Sequence, residues 1–346
     1  GEDGMKKAQR AMGVVLMVLL GAVPASAQEE TPAAATTSPL DFITPETQKA
    51  IDRGLAYLAS IQNDDGSWTY QGGGGNTGIT ALAGLAFMAG GSVPGRGKYG
   101  ANVERATEYI LKHTRKDGYI TAGNSRMYEH GFATLFLAEV YGMTRDPRVK
   151  QKLALAVQLI ERTQNGEGGW RYNPVPMDAD ISVTICQIMA LRAARNAGIH
   201  VSKKVIDNGI KYVKNCQCRD GGFSYTAGSQ GSGFARTAAG VCSLYYAGEY
   251  EDKAIGRGLD YLFKNVNQSA ALHSGHFHYG HYYAVQAMWQ AGGKYWTAYY
   301  PKIRDTILKQ QQGDGSWTGY GDKSYPTSMC LIILQVPYDY LPVLQR

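Results

Sequence analysis

Hydrophobic residues fall along this chain in two alternating patterns. In one, typified by "PRVKQKLALAVQLIER" (residues 147–162), apolar side chains such as Leu153, Val157 and Ile160 share a helical stripe while Lys, Arg and Glu take the other face. In the other, typified by "NTGITALAGLAFMAGG" (76–91) and "YPTSMCLIILQVP" (325–337), no charged residue interrupts the run. The first pattern predicts a helix with one buried face, the second a helix buried all round. Amphipathic segments begin near residues 45, 99, 147, 201, 251 and 295, and apolar ones near 76, 127, 178, 233, 277 and 324. The chain therefore reads as six helical hairpins, each with an outer and an inner member.

A short phrase links the members of a hairpin. It reads "QNDDGSW" at Gln62–Trp68, "QNGEGGW" at Gln164–Trp170, "QCRDGGF" at Gln217–Phe223 and "QQGDGSW" at Gln311–Trp317, with a looser copy at Asp117–Ile120. A degenerate copy is expected at 273–277. The early copies recur at a spacing of about 50 residues, the length of a helix pair with its connections. Glycine in each phrase suits the left-handed backbone just past a helix end. The aromatic residue offers flat area to wedge between hairpins. The glutamine can bond backbone groups left unpaired at the next helix terminus. An open solenoid needs polar repeats at its ends, whereas the last apolar segment is among the most apolar of the chain. Closure follows: an all-α, α6/α6 toroid over residues 44–346, with the inner helices around an axial cavity.

The phrase Gln-x-x-Asp-Gly-Ser-Trp resembles the QW motif of the squalene/hopene cyclase and protein prenyltransferase superfamily, over essentially residues 45–340. The resemblance implies a structural role for the phrase and moves the search for chemistry to the other end of the hairpins. There the inner helices begin, and their dipoles and backbone N–H groups face one mouth of the cavity. Asp178-Ala179-Asp180-Ile181-Ser182 is similar to the Asp-x-Asp-Asp-Thr segment of squalene–hopene cyclases. That likeness implies that Asp180 is the general acid protonating an alkene, with Asp178 matching the first aspartate and Ile181 replacing the last. Capping of the inner helix by Asp178 or Asp180 is the competing reading.

His130 and His281 occupy matching places in two inner helices. Each is open to three readings: acid/base partner of Asp180, metal ligand, or hydrogen-bonded His–Tyr lining. Zinc prenyltransferases of the superfamily place a cysteine two residues after an aspartate. Ser182 stands there in this chain, so neither a metal nor another cofactor is expected. Tyr128, Phe234, Tyr279, Tyr282 and Tyr325 are candidate ligand contacts, their rings able to stabilise cations or simply to pack. Arg236 opens an inner helix beside the mouth; it is expected either to pair with Asp178 or Asp180 or to meet an anionic substrate.

The N-terminus adds a location. Lys6, Lys7 and Arg10, the run "GVVLMVLLGAV" and Ala25-Ser26-Ala27 have the layout of a cleaved signal peptide at 5–27. A Thr/Ala/Pro-rich tether at 28–43 follows, and the protein is expected to be secreted or periplasmic. The formal charge of +6 is spread thinly, so no nucleic-acid partner is indicated. Five cysteines are too few for a disulfide scaffold, though one bridge is compatible with export. Function reads first as a terpene-cyclase-like protein holding a small apolar, isoprenoid-like ligand, with peripheral membrane contact as a further expectation. The alternatives are a non-catalytic scaffold or binding protein, and a polysaccharide lyase or hydrolase.

Overall fold

The computed structural model describes residues 38–123, 126–267 and 276–345. The expected signal peptide, residues 28–37 of the tether and the start of the degenerate phrase copy at 273 lie outside them. The remaining tether residues include a short 3-10 turn, Pro39–Phe42, whose Phe42 ring packs edge-on against Trp296 and Tyr300.

Twelve α-helices alternate along the described residues. The outer members are α1 (Pro45–Ser60), α3 (Gly100–Lys112), α5 (Pro147–Arg162), α7 (Lys203–Asn215), α9 (Lys253–Asn267) and α11 (Gly293–Gln310). The inner members are α2 (Thr77–Ala89), α4 (Met127–Thr144), α6 (Ile181–Asn196), α8 (Phe234–Ala247), α10 (Phe277–Ala291) and α12 (Ser324–Gln335). Each inner helix packs on the next, and α12 packs back onto α2, so the inner ring closes while α1 docks on α12. Every residue of α2 is buried, as its uncharged sequence requires. Close approach of inner helices depends on small residues: a Cβ on Gly84 would collide with the Phe136 ring across the α2–α4 contact.

The repeated phrase ties three helices together. Its tryptophan donates from the indole N–H to a carbonyl on the outer helix just completed: Trp68 to Leu58 (3.0 Å), Trp170 to Ile160 (2.7 Å) and Trp317 to Ile307 (2.8 Å). The backbone N–H of the same residue donates to a threonine hydroxyl on the following inner helix, Thr80, Thr184 or Thr327, and Phe223 does so to Thr237. The glutamine reaches further than the nearest helix terminus. Gln164 Nε2 donates to Gly168 O (2.9 Å) in its own turn and to Val205 O (2.8 Å) in the first turn of α7. Gln62 reaches Asn102 O on α3, Gln217 reaches Ala254 O on α9, and Gln311 reaches Ala50 O on α1. This last bond joins the end of the chain to its beginning and completes the outer ring.

Glycine is obligatory in these turns for two reasons at once. Gly168 has φ +99°, and a Cβ there would overlap the backbone carbonyl of Asn208 on α7. Replacing Gly168 by Ala should cost at least about 1–3 kcal/mol, read as a lowered midpoint in urea or guanidinium unfolding. An unchanged midpoint would refute the close approach.

The opposite end of the ring is covered by the C-terminus. Leu341, Val343 and Leu344 are buried, and the turn Pro342–Leu344 packs on α6. Trp289 Nε1 donates to Leu344 O (3.1 Å). Beneath this tail Glu139 of α4 is buried with Oε2 unbonded. Burial pushes its carboxyl up to about 8, opposed only by the backbone N–H of Val343. A carboxyl raised in the fold stabilises most at pH values below its ordinary range, and that contribution is lost as pH rises to about 8. Glu139→Gln should therefore remove a decline on the order of a few kcal/mol between pH 4.5 and 8, seen as a flatter melting temperature against pH than the parent protein's.

Candidate functional site

The first turns of the six inner helices converge on one mouth of the ring, and a cavity of about 1030 Å³ opens there. That volume lies at the upper end of the range for small-molecule sites. Ile79 and Leu82 of α2, Phe132 of α4, Tyr279 of α10 and Tyr325 of α12 form apolar and aromatic wall. Polar wall comes from Asn76, Glu129, Ser182 and Arg236. Glu129 Oε2 accepts from the Thr77 hydroxyl (2.7 Å) and from the N–H groups of Ala122 (3.0 Å) and Gly123 (3.1 Å), so this buried carboxylate also braces a loop.

Four further tyrosines, Tyr70, Tyr172, Tyr225 and Tyr320, reach the cavity from the loops between outer and inner helices. They were not singled out from the sequence, although a signal exists. Tyr70, Tyr172 and Tyr225 each stand two residues after the phrase's aromatic, and Tyr320 stands three after Trp317. The strand of chain that leaves the outer surface at the tryptophan crosses the mouth at the tyrosine.

Asp180 is fully buried as the N-cap of α6, where Oδ1 accepts from the N–H groups of Ser182 (2.8 Å) and Val183 (2.9 Å). Capping is therefore real, but it occupies only one oxygen. Oδ2 accepts from the Tyr225 hydroxyl (3.1 Å), and Arg171 Nε lies 3.6 Å away. Tyr225 is in turn hydrogen-bonded to the Tyr172 hydroxyl, and the Arg171 guanidinium stands over both rings at 5.5 and 5.2 Å. Asp180 does not itself line the cavity; Tyr225 and Tyr172 do. Burial raises the Asp180 carboxyl above its ordinary value, with the two backbone donors, Tyr225 and the Arg171 charge pulling the other way. Asp178 is different. Its side chain is 65% exposed and pairs with Arg171 (2.9 Å) at the surface.

Neither histidine sits with Asp180. His130 Nδ1 accepts from the Ile120 N–H (3.2 Å) and its Nε2 lies 3.3 Å from Ala156 O, bridging the looser phrase copy to α5. Burial depresses its pKa to about 4, which keeps the ring neutral. His281 turns toward the outer layer, where Nδ1 meets the Tyr299 hydroxyl (2.8 Å) and the ring packs between Phe234 and Phe277. Matching places on two inner helices thus give matching outward directions.

Of the expected ligand contacts, Tyr128, Arg236, Tyr279 and Tyr325 line the cavity, whereas Phe234 and Tyr282 do not. Phe234 packs on His281, and Tyr282 is buried against Phe132 with its hydroxyl toward Met189. The expected pairing of Arg236 with Asp178 or Asp180 is not formed, because Arg171, arriving from the preceding loop, occupies both. Arg236 instead donates from Nη2 to Gly231 O (3.0 Å), and its Nε is buried without a hydrogen-bond partner. Such a donor costs about 1–3 kcal/mol, and a cation in a helix's first turn costs roughly 0.3–1 kcal/mol more. All five cysteines are buried and unpaired.

A closed α/α ring with a tyrosine-walled cavity at the inner-helix N-termini defines the protein as an α/α toroid. The profile for the squalene-hopene cyclase C-terminal domain matches residues 137–278, which include Asp178, Asp180 and two copies of the phrase. Drimenyl diphosphate synthase of Streptomyces showdoensis is 27% identical over 179 residues, half of this chain but 32% of that protein. The match thus spans about a third of that relative's length. Together with the fold, these matches support a squalene-hopene cyclase-like superfamily member. Among solved structures, the type II terpene cyclase MstE from Scytonema superposes with a TM-score of 0.62 at 16% identity, covering 86% of this chain and all of that one. A variant of it in complex with geranylgeranyl dihydroxybenzoate gives 0.61 at 14% identity, over 88% and 99%. An α-1,6-mannanase, GH76A of Salegentibacter sp. HEL1_6, in complex with α-1,6-mannotetrose gives 0.63 at 10% identity, over 84% and 99%.

The outward bonding of His130 has a direct consequence. His130→Ala leaves the Ile120 N–H and Ala156 carbonyl without their buried partner and should cost about 2–4 kcal/mol of stability. Ligand affinity per folded molecule should stay within about threefold of the parent, as titration calorimetry on the folded fraction can show.

Proposed function

We propose that this protein is an exported, terpene-cyclase-like toroid that holds an isoprenoid or similar apolar ligand in its aromatic cavity and performs acid-initiated cyclisation or isomerisation at Asp180. The observation that carries this reading is the Asp180–Tyr225–Tyr172 chain. A buried carboxyl with a raised pKa ends in hydroxyls on the wall of a tyrosine-lined cavity. A protonated Asp180 donates to the Tyr225 oxygen, and a wall tyrosine hydroxyl passes a proton to an alkene carbon of the ligand. The cation that results faces the rings of Tyr128, Tyr172 and Tyr279, whose electron-rich faces stabilise it. Loss of a proton from a neighbouring carbon ends the reaction, so the product has the mass of the substrate. Asp178, exposed and paired, has no part in this step.

The alternatives fit the site less well. A scaffold that had abandoned ligand binding needs no open cavity of this size. A glycosidase of the common type needs two carboxyl groups flanking the scissile bond, and here Glu129 is the only carboxylate on the described cavity wall, with Asp180 behind Tyr225. Incubation with geranylgeraniol in D₂O distinguishes the readings. The expected result is a cyclic or rearranged isomer carrying one solvent deuterium, formed by the parent protein and not by Asp180→Asn, with both binding the alcohol in native mass spectrometry. Failure of the parent protein to bind any isoprenoid would sink the cavity reading. Binding with unchanged turnover in Asp180→Asn would sink the role of the acid.

A further inference from the structure

Three carboxyl side chains are buried among the described residues, and they are satisfied unequally. Glu129 accepts from Thr77 and two loop N–H groups. Asp180 accepts from two N–H groups and from Tyr225, with Arg171 close by. Glu139, toward the far end of α4, has a single donor among the described residues, the backbone N–H of Val343. That donor belongs to the C-terminal tail, so the group that answers the acid is also part of what covers it.

No charged side chain acts on the Glu139 carboxyl; burial and the Val343 N–H are its two influences. Neighbouring polar groups are engaged elsewhere. From α8 the Tyr246 hydroxyl donates to Gln286, and from α10 the Tyr282 hydroxyl points to Met189. Both tyrosines lie within reach of a Glu139 charge, and burial keeps their hydroxyls protonated. From α6, Arg192 acts on Tyr246 and donates to the Tyr250 hydroxyl at the surface. Helix α2 has no ionisable side chain, and Asp339 is the tail's own acid.

A carboxylate in that shell carries a charge that one N–H cannot offset, and hydration relieves it. Water reaches it once the tail lifts. The tail's hold is light: Leu341, Val343 and Leu344 are buried, and the Trp289 and Gln290 side chains donate to Leu344 O (3.1 and 3.2 Å). No α-helix has to break for the tail to leave, so this opening costs less than unfolding the ring.

We propose that residues 341–345 are a pH-operated latch over the far end of the ring, closed on a neutral Glu139 and released when that carboxyl ionises. Under the closed tail the carboxyl is held up at about 8; in the open tail it returns to the ordinary 4.5. Closure is therefore strongest below 4.5, weakens about tenfold for each pH unit above it, and stops weakening near 8.

Hydrogen exchange at the Val343, Leu344 and Gln345 amides, all bonded in the closed tail, tests the latch once corrected for the intrinsic effect of pH. Between about pH 5 and pH 8 their protection should fall at least about thirtyfold in the parent protein. Amides of α4 and α6 should stay at least about tenfold better protected than the tail throughout, which makes the opening local. Glu139→Gln and Glu139→Met both remove the charge at similar bulk. In whichever of them folds, tail protection should change by less than about threefold over the same range. A flat profile in the parent, a fall that persists without the Glu139 charge, or a tail that exchanges in step with the helices would each overturn the latch. No ligand enters the measurement, so its outcome is separate from that of the cavity reading.

Discussion

Six hairpins remain one ring because each copy of the glutamine–glycine–tryptophan phrase bonds helices that are not neighbours in sequence. A hairpin of this kind has one stripe-faced helix and one helix apolar all round, and neither is stable alone in water. Packing against adjacent hairpins buries the inner helices, but burial is indifferent to exact register. The directional bonds supply the register. Trp170 holds Ile160 and Thr184, and Gln164 spans to Val205, so α5, α6 and α7 share a single turn. With Gln311 bonded to Ala50, the same device joins the last hairpin to the first.

The expectation that chemistry lies at the other end of the hairpins from the phrase is corrected by the structure: phrases and inner-helix starts share one end of the ring, because each phrase bonds the first turn of the inner helix that follows it. The loops that run from the phrases to those helices form the mouth and carry its polar groups. Asp180 does two jobs through its two oxygens, capping α6 with one and meeting Tyr225 with the other. Arg171 crosses above Tyr172 and Tyr225 and pairs with Asp178, so it fixes the tyrosines while leaving Arg236 without an acidic partner. The far end of the ring behaves differently. There the C-terminal tail covers the inner helices, and Glu139 is left buried with a raised pKa.

The ring, the number of helices and their inner or outer place were legible because they depend on periodicity and on charge-free runs, which each segment carries in itself. The starts of the inner helices were legible to within a few residues, and with them the polar mouth. Asp180 was open between acid and cap, and the structure shows the cap together with a second contact that the sequence could not reveal. His130 and His281 were placed on the right helices, but a helical position does not say which of its faces meets the cavity; both turn to the outer layer. Tyr282 failed for the same reason: three residues on from Tyr279, it is turned about 60° around the helix away from that wall residue.

Fold class and closure were thus determined by the sequence itself, through hydrophobic patterning and the recurrence of a turn that only glycine can make. The composition of the site was decided by tertiary structure. Arg171, Tyr172 and Asp180 share the α5–α6 connection while Tyr225 comes from the α7–α8 connection, and only the packing of these neighbouring hairpins brings the two phrase loops and the start of α6 within hydrogen-bonding reach. Local patterns encode which surfaces are buried; which side chains then face one another depends on helix rotation and loop path, and those are set by the packing of the whole ring.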